Sequence, residues 1–241
     1  MSIRLTALVA CASLAVAGCA SDKSITEPKP ATALVRFINA TNTGTDVAVS
    51  GLVSTANTNI AFGGATGCLT VNAASPGLSF RATGTTTDIT GFTPSFTAGK
   101  EYWVVAITGT GGATQFVTID QAATPPTGSV ALTGLNAVSS GGPFDLHVTA
   151  PTGALSSTTV VNANLAFGVP SAAANTTVLF NTATPPVAQP QRLRFTGAGN
   201  TTVARDHGNV TFVQGTSTLA IIAQGAAATP ATLRSIFNAG C

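Results

Sequence analysis

From Ala31 onward the chain is a succession of short apolar runs, rich in Val, Ile, Leu, Phe and Thr, separated by clusters of Gly, Pro, Asn, Ser and Thr. Ala33–Ile38, Asp46–Val49, Leu78–Ala82, Glu101–Ile107 and Ser217–Ile222 are representative. Successive side chains of a strand point to opposite faces. In the first run Leu34, Arg36 and Ile38 therefore share one face, and Val35 and Phe37 the other. No window keeps a helical 3.6-residue period over three turns, and Glu, Lys and Gln are too scarce to dress helix surfaces. Many short strands with turn signals between them predict an all-β chain of antiparallel sandwiches.

The pattern also occurs twice. Asn59-Ile-Ala-Phe-Gly63 returns as Asn164-Leu-Ala-Phe-Gly168. In the same order, Asn39-Ala40 matches Asn136-Ala137, Asp46–Val49 matches Asp145–Val148, Leu78–Gly84 matches Leu193–Gly197, and Ala98-Gly99 before one strand parallels Gln214-Gly215 before another. The offsets only grow along the chain, from 97 through 99 and 105 to 115 and 116, as insertions in a second copy would make them do. Two copies of one β-domain are expected, at 31–122 and 129–241. A short, Pro-stiffened linker at 123–128 joins them.

The N-terminus has a different character. Arg4 precedes an apolar run from Leu5 to Ala17, which has the length of a signal-peptide core and is too short to span a bilayer as a helix. Val16-Ala17-Gly18-Cys19 resembles the lipobox of bacterial lipoproteins. That resemblance implies a signal peptide at 1–18, cleavage before Cys19 and lipid on the Cys19 sulfur, so that the protein meets a membrane through its acyl chains. Residues 19–30 are polar, end in prolines and read as a flexible spacer. A non-acidic Ala20 after the lipid site implies, for lipoproteins like those of enteric bacteria, sorting to the outer membrane. With Cys11 lost and Cys19 acylated, Cys68 and Cys241 remain as an even pair in an oxidising compartment. A disulfide between them is expected; the alternative is two separate thiols.

Charge narrows the partners. Charged residues are 7% of the 241, against roughly 25% in an average soluble domain. Ten Lys and Arg, none clustered, make no footprint for nucleic acid. Buried sheet faces, with the two copies packed against each other, would account for so little charge; exposed Thr, Ser and Asn would serve as well.

Across Leu34–Gly109, and more loosely across Val130–Gly225, the strand order is similar to that of the domain of unknown function 4397 family. The residues that carry the likeness are the R-x-x-N-A start at Arg36–Ala40, the N-x-A-F-G block, and A-G-K-x-Y at Ala98–Tyr102. Cys68 departs from the pattern, which has an aromatic there. The resemblance implies two tandem immunoglobulin-like β-sandwiches in the bacterial cell envelope, and no reaction.

Candidate chemistry is sparse. Asp145 and His147 fall on one strand face and could meet a metal, but two ligands do not make a site. Asp206-His207 reads as part of a turn. Asp46, Asp88, Glu101, Asp120, Asp145 and Asp206 are the acids available to a hydrolase. Asp46 and Asp145, being equivalent in the two copies, are better explained by a shared turn or strand-start role than by catalysis. Trp103 and Tyr102 are adjacent, so one of the two rings faces outward if the strand is regular. Trp103 is therefore the candidate ligand contact, while the simpler reading buries both faces. No catalytic, cofactor or metal residues are assigned. The expected function is that of a non-catalytic structural or binding module with an envelope glycan or protein as partner. Carbohydrate or peptide recognition is the alternative, and an envelope hydrolase the remote one.

Overall fold

A strand that buries one face alternates apolar and polar side chains, whereas a strand buried on both faces is apolar throughout. Both kinds occur in the computed structural model, which describes residues 31–49, 51–121, 124–177, 188–225 and 233–241. The expected signal, lipidation site and spacer (1–30), and part of the expected linker, lie outside the described residues.

Among the described residues the first half contributes β1 (Thr32–Asn39), β2 (Thr45–Val49), β3 (Leu52–Val53), β4 (Leu69–Asn72), β5 (Leu78–Ala82), β6 (Glu101–Thr108) and β7 (Thr114–Asp120). The second contributes β8 (Ser129–Ala137), β9 (Phe144–Thr149), β10 (Val160–Leu165), β11 (Ala174–Thr177), β12 (Gln191–Gly197), β13 (Val203–Val210), β14 (Ser217–Gln224) and β15 (Leu233–Ala239). The helical elements among the described residues are two three-residue 3-10 turns, Thr55–Asn57 and Ser157–Thr159. No helix among the described residues is long and apolar enough to cross a membrane.

Among the described residues the strands form four sheets, ordered β4-β1-β6-β7 and β3-β2-β5 in the first half, β11-β8-β14-β15 and β10-β9-β12-β13 in the second. The pairings repeat at the sequence offsets. Leu34 pairs with Glu101 as Ala131 pairs with Ser217. Asp46 pairs with Arg81 as Asp145 pairs with Thr196. The expectation of purely antiparallel sheets is corrected in one respect: β1–β6 and β8–β14 are parallel. A parallel pair needs a long crossover. The excursion of the chain through the facing sheet between these strands supplies one in each half.

Three clusters of buried side chains separate the four sheets. One lies within the first half, between β1, β4 and β6 on one side and β2 and β5 on the other, with Phe37 stacked on Phe80 at a centroid distance of 4.8 Å. The second half repeats it with Leu132, Leu146, Phe195 and Ile222. The third joins the halves: Ile38, Trp103, Val105 and Ile107 meet Leu135, Leu219, Ile221 and Ile236. Residues 31–241 accordingly form one compact unit. The central strands of the two middle sheets are buried on both faces, so Tyr102–Ile107 and Thr218–Ala223 are buried at every position. Those burials account for part of the low charge, and the exposed positions are largely neutral Thr, Ser, Asn, Ala and Gly.

Candidate functional site

The repeated motifs build one hydrogen-bonded clasp per half. Asn59 and Asn164 are the non-glycine residues with positive φ among those described, at 48° and 55°. Asn tolerates this region because its short polar side chain offsets the steric penalty locally. Each is held by the repeated aspartate: Asp46 Oδ1 accepts from Asn59 N at 2.7 Å, and Asp145 Oδ1 from Asn164 N at 2.7 Å. The fully buried Asn39 and Asn136 complete the clasp. Their Nδ2 groups donate to Ile60 O (2.7 Å) and Leu165 O (3.1 Å), and their Oδ1 atoms accept from Thr41 N and Val138 N. Gly63 N and Gly168 N donate to the carbonyls of the same two asparagines. The amide of Asn59 holds the Asp46 carboxyl below the ordinary carboxylate value. The duplicated N-x-A-F-G block and its distant Asp and Asn are thus one local structure, and Asp46 and Asp145 serve it.

His147 lies in the second half with both ring nitrogens engaged, Nδ1 with Thr159 Oγ1 at 2.9 Å and Nε2 with Thr196 Oγ1 at 3.1 Å. Its neighbour Asp145 accepts from Asn164 and, through Oδ2, from Gly199 N at 2.8 Å. The structure gives this pair to hydrogen bonds within the chain. Among the described residues no three His, Cys, Asp or Glu come together as metal ligands. Asp206 is bound by Arg192 and His207 touches Ser235, so these two diverge; they sit on β13 and not in the expected turn.

Burial holds His147 below its ordinary value of 6.5, and burial followed by Arg205 does the same for His207. The unfolded chain takes up these protons more readily than the folded one. Stability is therefore present above about pH 6.5 and declines as the pH falls toward the depressed folded values. A lower thermal midpoint at about pH 5 than at about pH 7.5 is expected, with a shallower slope in His147→Gln. A flat profile in the parent protein would contradict it.

Trp103 is wholly buried in the cluster between the halves, its Nε1 donating to Ala239 O at 3.4 Å. Tyr102 is turned to the other face of β6, into the first half's core, and its hydroxyl accepts from Thr97 N. The candidate ligand contact at Trp103 is thereby corrected: the second half covers the face that an isolated domain would have left open.

Cys68 and Cys241 form a disulfide with Cα atoms 5.6 Å apart, linking the first half to the end of β15. Arg36, the first residue of R-x-x-N-A, reinforces that junction. Its Nη1 donates to Ala239 O (2.7 Å) and Asn238 Oδ1 (3.1 Å), and its Nη2 lies 3.5 Å from Cys68 Sγ.

Residues 33–147 match the family model for Domain of unknown function (DUF4397). The DUF4397 match takes in the first clasp and then β8 and most of β9, so it crosses from the first half into the second. It stops short of the second N-x-A-F-G block. No curated protein matches the chain.

Two clefts, which strand periodicity does not reveal, open where the halves meet. The larger, about 950 Å³, lies at the starts of β6 and β14. Lys100, Glu101, Asp120 and Gln121 line it from the first half, Thr133 and Ser171 from the second. Lys100 is paired with Asp120. Gln121 Oε1 accepts from Cys241 N at 3.1 Å, and its buried Nε2 has no partner among the described residues. The smaller, about 570 Å³, lies between the Phe62–Gly63 turn and strands β13 and β15.

Proposed function

We propose that the chain is a lipid-anchored protein of the bacterial cell envelope, in which two tandem immunoglobulin-like sandwiches act as a structural or binding module without chemistry of their own. The observation that carries this reading is Val16-Ala17-Gly18-Cys19 behind a short apolar run. Its small side chains would admit a peptidase to the bond before Cys19. A thiol at that position can be alkylated, and several acyl chains on one residue anchor far more firmly than one. The Cys68–Cys241 bridge supports an oxidising compartment. Matching strand pairings in the halves support two copies of one module. The acids of the repeated clasp are spent on backbone amides, which favours a scaffold over a hydrolase.

Metabolic labelling of cells with a radioactive fatty acid tests the anchor. The parent protein is expected to take up label and partition with membranes, and Cys19→Ala to lose both. Label retained by Cys19→Ala would sink the proposal.

A further inference from the structure

A strand at the edge of a sheet shows one row of N–H and C=O groups to solvent, and proteins blunt such rows by shortening, bulging or covering them. All but one of the edge strands among the described residues are blunted in one of these ways. β3 has two residues, and β4 and β11 have four each. β10 and β13 break register against their neighbours. Phe80 O on β5 accepts from Ile89 N at 2.6 Å. β15 lies against β13, where Ser235 Oγ accepts from Arg205 Nε at 3.3 Å. β7 is the exception. It is the outermost strand of β4-β1-β6-β7, has seven residues, and pairs with β6 in one unbroken register. It contains no Pro, Lys or Arg.

The bonds at the two ends of the β6–β7 ladder fix which groups are open. Gly109 N donates to Ala113 O at 2.8 Å, and Gln121 N to Glu101 O at 2.9 Å. In an antiparallel ladder every second pair exchanges its bonds, so Trp103–Ile119, Val105–Val117 and Ile107–Gln115 do so as well. The N–H and C=O groups of Thr114, Phe116, Thr118 and Asp120 therefore point away from β6. No other backbone group among the described residues bonds to them. Phe92 packs on the Phe116 ring, with centroids 5.2 Å apart, but contributes no backbone bond to the strand.

We propose that this edge pairs with β7 of a second copy of the chain, antiparallel about a two-fold axis at Val117. An interface of this kind requires a self-complementary patch. In this register the whole strand overlaps its counterpart. The open groups of Thr114 meet those of Asp120 in the second copy, and those of Phe116 meet those of Thr118. Four such pairs exchange about eight backbone bonds. At about one hydrogen bond per 100–200 Å², that corresponds to an interface of about 800–1,600 Å², against the roughly 1,000 Å² that a specific interface has to clear. The side chains suit the pairing. Val117 meets Val117, and Phe116 meets Thr118. Phe116 and Val117 are half-buried in the single chain and lose exposed apolar surface. Asp120 is the one charge of the strand, is held by Lys100, and faces Thr114 of the second copy, so no like charges are opposed.

Sedimentation of the full chain, in enough detergent that micelles outnumber protein, tests the pairing. The parent chain is expected to pass from monomer to dimer as its concentration rises. Thr118 is exposed and its N–H points away from β6. Thr118→Pro therefore leaves the chain's own ladder intact, while it removes one bond per copy from the dimer and puts a ring in its path. It is expected to raise the dissociation constant about tenfold or more. Thr118→Lys keeps the N–H and is expected to weaken pairing in the same direction by charging the edge. Unchanged melting curves show that the variants fold. Val117→Cys is expected to join two copies by a disulfide under mild oxidation, because directly opposed residues of a non-hydrogen-bonded pair stand about 4.5 Å apart at Cα, within disulfide reach. Gln115→Cys is expected not to, since its counterpart in the second copy lies about 13 Å away along the strand. A monomer at every concentration that stays in solution overturns the proposal and leaves the edge to a strand from another protein. Association unchanged in both Thr118 variants, or Gln115→Cys joining as readily as Val117→Cys, overturns it as well.

Discussion

Replacing Cys68 and Cys241 together by serine is expected to lower the unfolding free energy by about 5 kcal/mol. The bridge spans 173 residues of sequence, and the conformational freedom it removes from the unfolded chain grows with the logarithm of that length. Whole domains are stable by roughly 5–15 kcal/mol, so the loss would be a large share of the total. The folded state would suffer as well, because Arg36 shares the junction with Cys68, Asn238 and Ala239. Equilibrium urea unfolding of the variant, set against the parent protein with and without reductant, measures the effect. Identical midpoints in all three samples would show that the bridge does not hold the ends together.

Trp103→Ala is expected to destabilise the protein by about 3–5 kcal/mol, the usual range for truncating a fully buried large aromatic. The indole sits among Ile38, Val105 and Ile107 from its own half and Leu219, Ile221 and Ile236 from the other, so the cavity would open in the cluster that both halves need. Trp103 is also the single tryptophan of the chain, and its fluorescence reports that contact alone. In the parent protein the fluorescence and circular dichroism transitions should coincide, as they do when one core unfolds as a unit. An emission shift that precedes the loss of strand signal would mean that the halves part before they unfold.

The strands were legible because a pleat alternates its side chains. Val35 and Phe37 face the first half's core and Ile38 the opposite side, as their spacing requires. The duplication was legible because each clasp needs an Asn able to adopt positive φ, an Asp to hold its amide and a Gly to close the turn, and these identities leave a recurrent block. The fate of Trp103 was not legible. An apolar run such as Tyr102–Ile107 states that both faces are buried, but not whether a ligand or another part of the chain covers the second one. The parallel pairings were equally hidden, since periodicity carries no strand direction. The clefts were hidden for a third reason: Phe62 and Arg234 stand 172 positions apart, and no local pattern joins them.

By itself the sequence determined that the body of this protein is all β, that it is patterned twice, and which Asn, Asp and Gly residues recur in each repeat. Those properties follow from backbone geometry and side-chain alternation, which act over a few residues. Only the tertiary structure decided that the two halves bury a third core between them, that Trp103 belongs to it, and that Arg234 of β15 covers the ring of Phe62. Such outcomes depend on which surfaces exclude water from one another, and that is settled by the fit of whole sheets.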